Sequence, residues 1–250
     1  MSSKVDATYV NHVDGLNVIK MKVELIAYTP EPDSVCATAS QTCVSSNIPK
    51  DGNVVLKSLK HALASGHESV AEHATFTFAV EGVSRVTEIQ LVRHRIGASY
   101  AIQSGRYCTR DPTNYVMPES VTEDIDDLLA QRIIEYNRAL RLLDDCMVEM
   151  GISAEDRRYF YPQGLMTNIV VTMNARELNT FFKYRVCNLA QWEIRELAKE
   201  MLCLCKEVAP ILFENAGANC DVLGYCPEKR SCGRCPRFTD LKDRDLEDGL

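Results

Sequence analysis

The sequence has no apolar run near the roughly 18 residues that a membrane-crossing helix requires. Its first residues, MSSKVDATYVNHVDG, lack the apolar stretch behind positive charge that marks a secretion signal. A cytoplasmic protein without a membrane partner is the expectation. Basic residues are in deficit, since 28 Lys and Arg stand against 35 Asp and Glu for a net charge of −7. General nucleic-acid binding needs the opposite balance. Cysteine falls short of disulfide-scaffold density, with 11 in 250 residues, and an odd count leaves at least one thiol unpaired. Most are read as reduced, buried small hydrophobes. Internal repeats and low-complexity stretches are missing as well. What is there, 46% hydrophobic and 25% charged, is the makeup of a globular chain with a sizeable core in one or two domains.

The hydrophobic pattern then divides the chain. VELIA at 23–27, ended by Pro30 and Pro32, reads as a strand and turn, with helix to follow. Val55, Leu56, Leu59 and Leu63 predict a helix over 52–65 that stops before Gly66. Residues 74–81 alternate, with Phe76, Phe78 and Val80 on one side, and predict a strand broken by Gly82. Ser84 is placed to cap a helix over 85–95. The longest helix is expected over 121–150, opened by a Ser120 to Glu123 capping box and carrying a seam of Ile133, Tyr136, Leu140, Leu143, Met147 and Met150. NIVVTM at 168–173 is a β-branched strand, Asn174 suits the N-cap of a helix over 175–187, and a further helix over 189–208 has Ile194, Leu197, Ala198, Met201 and Cys205 on one face. The fold class is therefore α/β (α+β), a central mixed sheet flanked by long helices. Gly, Cys, Pro and charge replace the helical pattern near 215, which sets a main domain at 1–215 and a loop-rich C-terminal appendage at 216–250.

Chemistry concentrates in a few places. Residues 84–110 carry five Arg (85, 93, 95, 106, 110) against one Glu (88), a +4 segment within an acidic chain. On a helix Gln90, Arg93 and His94 would share one polar face, and the small, Gly-containing stretch between Arg95 and Arg106 would let backbone N–H groups approach phosphate oxygens. Arginine's planar fork suits such an anion. GHESVAEHATFTF places His67, Ser69, Glu72 and His73 together, but the six-residue spacing of the two His excludes the zinc-protease motif, which needs four. A third group is Arg158, Asn174, Arg176 and Arg185, where Asn174 has an N-capping alternative and Arg185 a snorkelling one. Finally, Cys220, Cys226, Cys232 and Cys235 follow C-x5-C-x5-C-x2-C. The terminal CGRC resembles half a zinc knuckle, yet no second CxxC accompanies it, so free thiols are the default and no metal ligand is assigned.

Taken together, Arg93-His94-Arg95, Ser104 and Arg106-Tyr107, with GHESVAEHATFTFAVEGVSR and NAR…R…AQWEIRELA, resemble the signature segments of the flavin-dependent thymidylate synthase family over roughly 60–210. The resemblance implies a homotetramer with active sites shared among subunits, bound FAD, and reductive methylation of dUMP to dTMP with methylenetetrahydrofolate as carbon donor and NADPH as reductant. Carried over by position, His67, Ser69, Arg93, His94, Arg95, Asn174 and Arg176 would contact FAD. Gln90, Arg93, Ser104, Gly105, Arg106 and Arg158 would hold dUMP, with Gln103 beside them in place of the acidic residue common two before the Ser. Arg185 would favour ionisation at uracil N3, and Ser104 joins it in the catalytic set through binding or electrostatic activation, not as a nucleophile. Eight residues separate Arg95 from Ser104, where the family usually has seven. Competing readings are a zinc-stabilised nucleic-acid-binding protein, motivated by the arginines and the C-terminal cysteines, and a flavoprotein acting on another pyrimidine nucleotide.

Overall fold

A computed structural model describes residues 12–13, 16–17, 19–48, 52–108, 110–122 and 126–239. The chain forms two compact units. One comprises the segment through Lys22 with Ala79–Arg93 and Tyr100–Val170, and the other Val23–Phe78, His94–Ser99 and the chain from Val171 onward. A short hairpin pairs β1 (His12–Val13) with β2 (Leu16–Asn17). The main sheet has four strands, β3 (Lys22–Tyr28), β4 (Thr75–Ser84), β5 (Ala98–Ile102) and β6 (Met166–Asn174), in the order β3-β4-β6-β5. Thr77 meets Thr172 while Gly82 meets Asn168, and Gln103 bonds Asn168 while Asn174 bonds Gly97. Partners thus advance in opposite directions along each pair, which makes those pairings antiparallel. The α/β architecture follows the expectation; strand direction is not encoded in the hydrophobic alternation that predicted it.

In the unit containing Val23–Phe78, α1 (Pro32–Thr42), α2 (Gly52–Ala64), α7 (Ala175–Arg185) and α8 (Trp192–Val208) surround a core of Phe76, Phe78, Phe181, Phe182 and Phe213, all fully buried. Phe213 packs edge-on against Phe76 and Phe182 at 5.3 and 5.9 Å, the offset geometry that aromatic quadrupoles favour. The predicted apolar face of α8, from Ile194 to Cys205, is fully buried. Asp33 accepts from the backbone N–H groups of Ile211 and Leu212, at 2.9 and 3.0 Å, tying the turn after α8 to the first turn of α1. Residues 68–73 form a 3-10 turn between α2 and β4. The chain ends, as described, in the short helix α9 (Asn219–Leu223) and the loops around it.

The other unit is organised on α3 (Arg85–Leu91), α4 (Glu119–Thr122), α5 (Asp127–Glu149) and α6 (Ala154–Arg157). Several expectations are corrected here. Gly82 does not end its strand: β4 continues to Ser84, and glycine fits this position because φ is 72° and a Cβ would lie 2.9 Å from the Lys20 carbonyl oxygen. Ser84 caps α3 as expected, accepting from Thr87 N–H, but the helix stops at Leu91 and Arg93-His94-Arg95 lies beyond it. Gln90, Arg93 and His94 therefore share no helical face. Residues 98–102, expected as a phosphate-approaching loop, are strand β5. The long helix begins at Asp127, capped by Asp126, and Glu123 of the predicted capping box lies outside the described residues. Of its predicted seam only Leu140 and Met147 are buried; Tyr136, Leu143 and Met150 are exposed.

Candidate active site

Arginines converge on a cavity of about 380 Å³ in the unit built on α3 and α5. Arg85, Arg110, Arg157 and Arg158 line it with Gly105, Cys108, Tyr159 and Tyr161. Each is held by a different device. Arg85, at the start of α3, pairs with buried Glu88 one turn along. Burial pushes the Glu88 carboxyl up, and Arg85 and Arg110 pull it back toward the charged form. Arg157 is buried with Asp144, whose Oδ1 accepts from its Nε at 3.0 Å and from the Tyr161 hydroxyl at 2.7 Å. Arg110 donates to the Gln103 carbonyl, but among the described residues its buried Nε has no partner, and neither has the buried Oε1 of Gln103. Burial first and the Arg85 charge second make the Arg110 cation less favourable than usual. Crowded guanidiniums with an unsatisfied donor are the electrostatic complement of an anion.

Of the sequence-predicted residues of this unit, Gly105 and Arg158 line the cavity, while Gln90, Arg93, Gln103, Ser104 and Arg106 are not among its lining residues. Glu155 faces both Arg106, at 3.1 Å, and Arg158, at 4.0 Å, so one carboxylate gathers the two expected phosphate-binding side chains. A Cβ on Gly105 would lie 3.1 Å from Arg158 Cδ, which shows how closely that backbone and side chain approach. Ser104 Oγ accepts from Arg106 N–H at 3.1 Å and stabilises the turn, the work of a polar turn residue. Gln90 donates to the Val86 carbonyl one helical turn back, and Arg93 is exposed just past the end of α3.

The second constellation lies in the other unit, where α7 carries Glu177 and Arg185 two turns apart. Arg185 Nε donates to His94 Nε2 at 3.1 Å, and the opposite ring nitrogen, Nδ1, lies 3.1 Å from Glu177 Oε1. Burial, then the Arg185 charge, lower the His94 pKa to about 4. The ring is thus neutral, with Nε2 accepting and the Nδ1 proton donated to Glu177, and the His94–Glu177 contact is a hydrogen bond and not an ion pair. Phe181 meets the ring edge-on at 5.0 Å. Burial raises the Glu177 pKa and lowers that of Arg185. The chain fixes this relay locally: Asn174 caps α7 by accepting from the Glu177 N–H, and Asn174 N–H bonds the Gly97 carbonyl, which seats the loop carrying His94 against the same helix end.

The remaining expected cofactor contacts are in this unit too. His67, Ser69 and Arg95 are exposed, and Arg176 pairs with Glu72 at the surface. The residues that sequence reasoning missed are Arg85 and Arg110, counted in the basic segment but given no role, and the acids Glu88, beside Arg85, Glu155, beside Arg106 and Arg158, and Glu177, beside His94. Nothing at the sequence level separates those three acids from ordinary surface carboxylates. The strand at 98–102 did have a signal, since Tyr100 and Ile102 alternate with small residues.

Residues 24–211 match the profile of the family described as thymidylate synthase complementing protein. A flavin-dependent thymidylate synthase of Clostridium tetani is 41% identical over 242 residues, covering 88% of this chain and 96% of the relative. One from Pyrococcus horikoshii is 44% identical over 226 residues, covering 84% and 90%. Among solved structures, a UMP/dUMP methylase, PolB, from Streptomyces cacaoi bound with 5-Br dUMP superimposes with a TM-score of 0.65 at 21% identity, over 80% of this chain and 95% of that one. At that identity it shows a shared fold.

Proposed function

The chain belongs to the thymidylate synthase complementing protein family, and on that premise we propose that it carries out the FAD-dependent reductive methylation of dUMP to dTMP, with methylenetetrahydrofolate as carbon donor and NADPH as reductant. The observation that carries this reading is the cavity on which Arg85, Arg110, Arg157 and Arg158 converge. A phosphate monoester brings about −1.5 to −2 charges near neutral pH, which relieves the repulsion between Arg85 and Arg110. Arg106, Arg158, Gly105, Ser104, Gln103, Gln90 and Arg93 form the rest of the nucleotide-binding set.

The donor set of the other unit suits a flavin dinucleotide. Exposed Arg95, Arg176, His67 and Ser69 are hydrogen-bond donors for a pyrophosphate, Asn174 and His94 join them in that unit, and Arg93, which belongs to the first unit, is the further proposed contact. When bound, the flavin supplies the redox chemistry. Arg185 remains protonated despite its burial, and its bond to His94 fixes the plane of the guanidinium. In the proposed reaction it stabilises the N3-deprotonated uracil, which raises electron density at C5. His94 positions Arg185, and Glu177 holds the His94 tautomer that makes this possible. Ser104 contributes through substrate binding.

Residues 1–215 form the catalytic domain in this reading and 216–250 an appendage. The enzyme is cytoplasmic and a homotetramer, supported by the exposed apolar residues of α5. Anaerobic incubation of the purified protein with dUMP, methylenetetrahydrofolate and NADPH, followed by nucleotide analysis, is expected to yield dTMP and oxidised NADP. Absence of dTMP from protein shown to carry flavin would overturn the assignment. Arg185→Ala is expected to lower kcat by roughly a hundredfold or more, the scale for losing a charge-stabilising donor.

A further inference from the structure

The C-terminal segment has almost no apolar core. Its buried cluster consists of Ala218, Cys220 and Cys226, with Cys187 and Cys235 packed against it. Two methyl-sized or thiol-sized groups at a time bury too little area to hold some 20 residues in place, and small units of this kind are usually stapled by a disulfide or a metal. All of the cysteines are free thiols. Five of them, Cys187, Cys220, Cys226, Cys232 and Cys235, line one cavity of about 250 Å³.

We infer that this cavity is a structural site for one zinc-class divalent cation, bound by Cys187, Cys220 and Cys226 with the fourth thiolate supplied by the Cys232-Gly-Arg-Cys235 pair. Cys220 and Cys235 place their sulfurs within 4.8 Å of each other. A tetrahedral site with Zn–S bonds of about 2.3 Å keeps its sulfurs about 3.8 Å apart, so this pair needs a side-chain adjustment of about 1 Å, while Cys187 and Cys226, which line the same cavity, turn further to reach the cation. The backbone brings the segments together: Cys226 N–H donates to the Pro236 carbonyl at 2.7 Å, and residues 226 and 237 pair in a bridge. Asn188 Nδ2 lies 3.9 Å from Cys232 Sγ, which brings the chain next to Cys187 to the same place. Asp221 also reaches Cys220 and Cys235, but Arg234 at 2.6 Å and the Ala218 N–H at 3.2 Å already occupy its carboxylate. Arg234 Nη2 lies 3.0 Å from Cys220 Sγ. On binding a divalent cation, each coordinating thiol releases one proton to solvent.

Sequence spacing concealed the site because one ligand, Cys187, lies 33 positions before Cys220 at the end of α7. The test is elemental analysis of the full-length protein, purified without chelator from zinc-supplemented cells. About one equivalent of zinc per chain is expected, and Co²⁺ added to metal-stripped protein should give the charge-transfer and visible bands of tetrahedral thiolate coordination. Cys220→Ser, Cys226→Ser, Cys187→Ser and the double variant Cys232→Ser with Cys235→Ser should each lose the metal, while Cys43→Ser and Cys146→Ser should keep it. Wild-type protein with neither zinc nor a cobalt spectrum, or with a Cys220–Cys235 disulfide found by mass spectrometry, overturns the proposal. So does the double variant if it retains full zinc. The cobalt titration of wild-type protein decides the matter even where a variant fails to fold.

Discussion

His94 is held neutral in a place where an imidazole in water would be half protonated near pH 6.5. Its folded pKa, lowered to about 4, lies below that of the unfolded chain. Between the two values the unfolded state binds more protons, so His94 contributes its stability fully above about 6.5 and loses it as pH falls toward about 4. The shift corresponds to roughly 3 kcal/mol. Urea unfolding at a series of pH values should show this loss in the wild type and a flatter profile in His94→Gln; parallel profiles would mean that the ring is not buried in its neutral form. Arg110 makes the second residue-scale prediction. Replacing it by Ala removes a charge-assisted bond of about 1.5–3 kcal/mol, so dUMP binding measured calorimetrically should weaken by roughly 10- to 100-fold while flavin content stays unchanged.

At the scale of elements, the loop after α3 depends on its fit against the first turn of α7. Gly97 has φ 71°, and a Cβ there would fall inside contact distance of the Asn174 side-chain amide. Gly97→Ala is therefore strained in backbone and in packing, and it displaces the residue that caps α7. We expect a loss of more than about 1 kcal/mol in stability, on the scale of a lost N-cap, and weaker flavin retention through gel filtration. An unchanged melting temperature would show that the loop adapts. Asn174 was legible in the sequence as a cap because Asn before a helical pattern is a local signal. That the same cap orders the His94 loop was not, since positions 97 and 174 are remote in the chain. Likewise, the end of α3 at Leu91 could not be read from the sequence, because helix-compatible residues persist to Arg95 while the chain leaves the helix and enters β5 at Ala98.

For the molecule as a whole, α5 leaves Leu128, Leu142 and Leu143 exposed at 60%, 63% and 42%. Apolar exposure of this extent along one helix marks an interaction surface, and a second copy of the chain is the proposed occupant. Sedimentation of the wild type should show a tetramer, whereas Leu142→Glu combined with Leu143→Glu should shift the population to smaller species with reduced turnover. A tetramer that persists in the double variant would place the interface elsewhere.

Composition and local pattern by themselves determined the strands β3, β4 and β6, the helices α2, α7 and α8 with the buried face of α8, and that an acidic chain concentrates arginine over residues 84–110. These are short-range properties: alternation, helical spacing and capping residues are set by neighbours within a few positions. Only the tertiary structure decided that Glu88, Glu155 and Glu177 organise the arginines and the imidazole, that His94 is neutral, and that Cys187 joins the distant C-terminal thiols. Each of those depends on burial and on contacts between groups tens of residues apart, and both the desolvation of a charge and the pairing of an acid with a base exist only once the chain has folded.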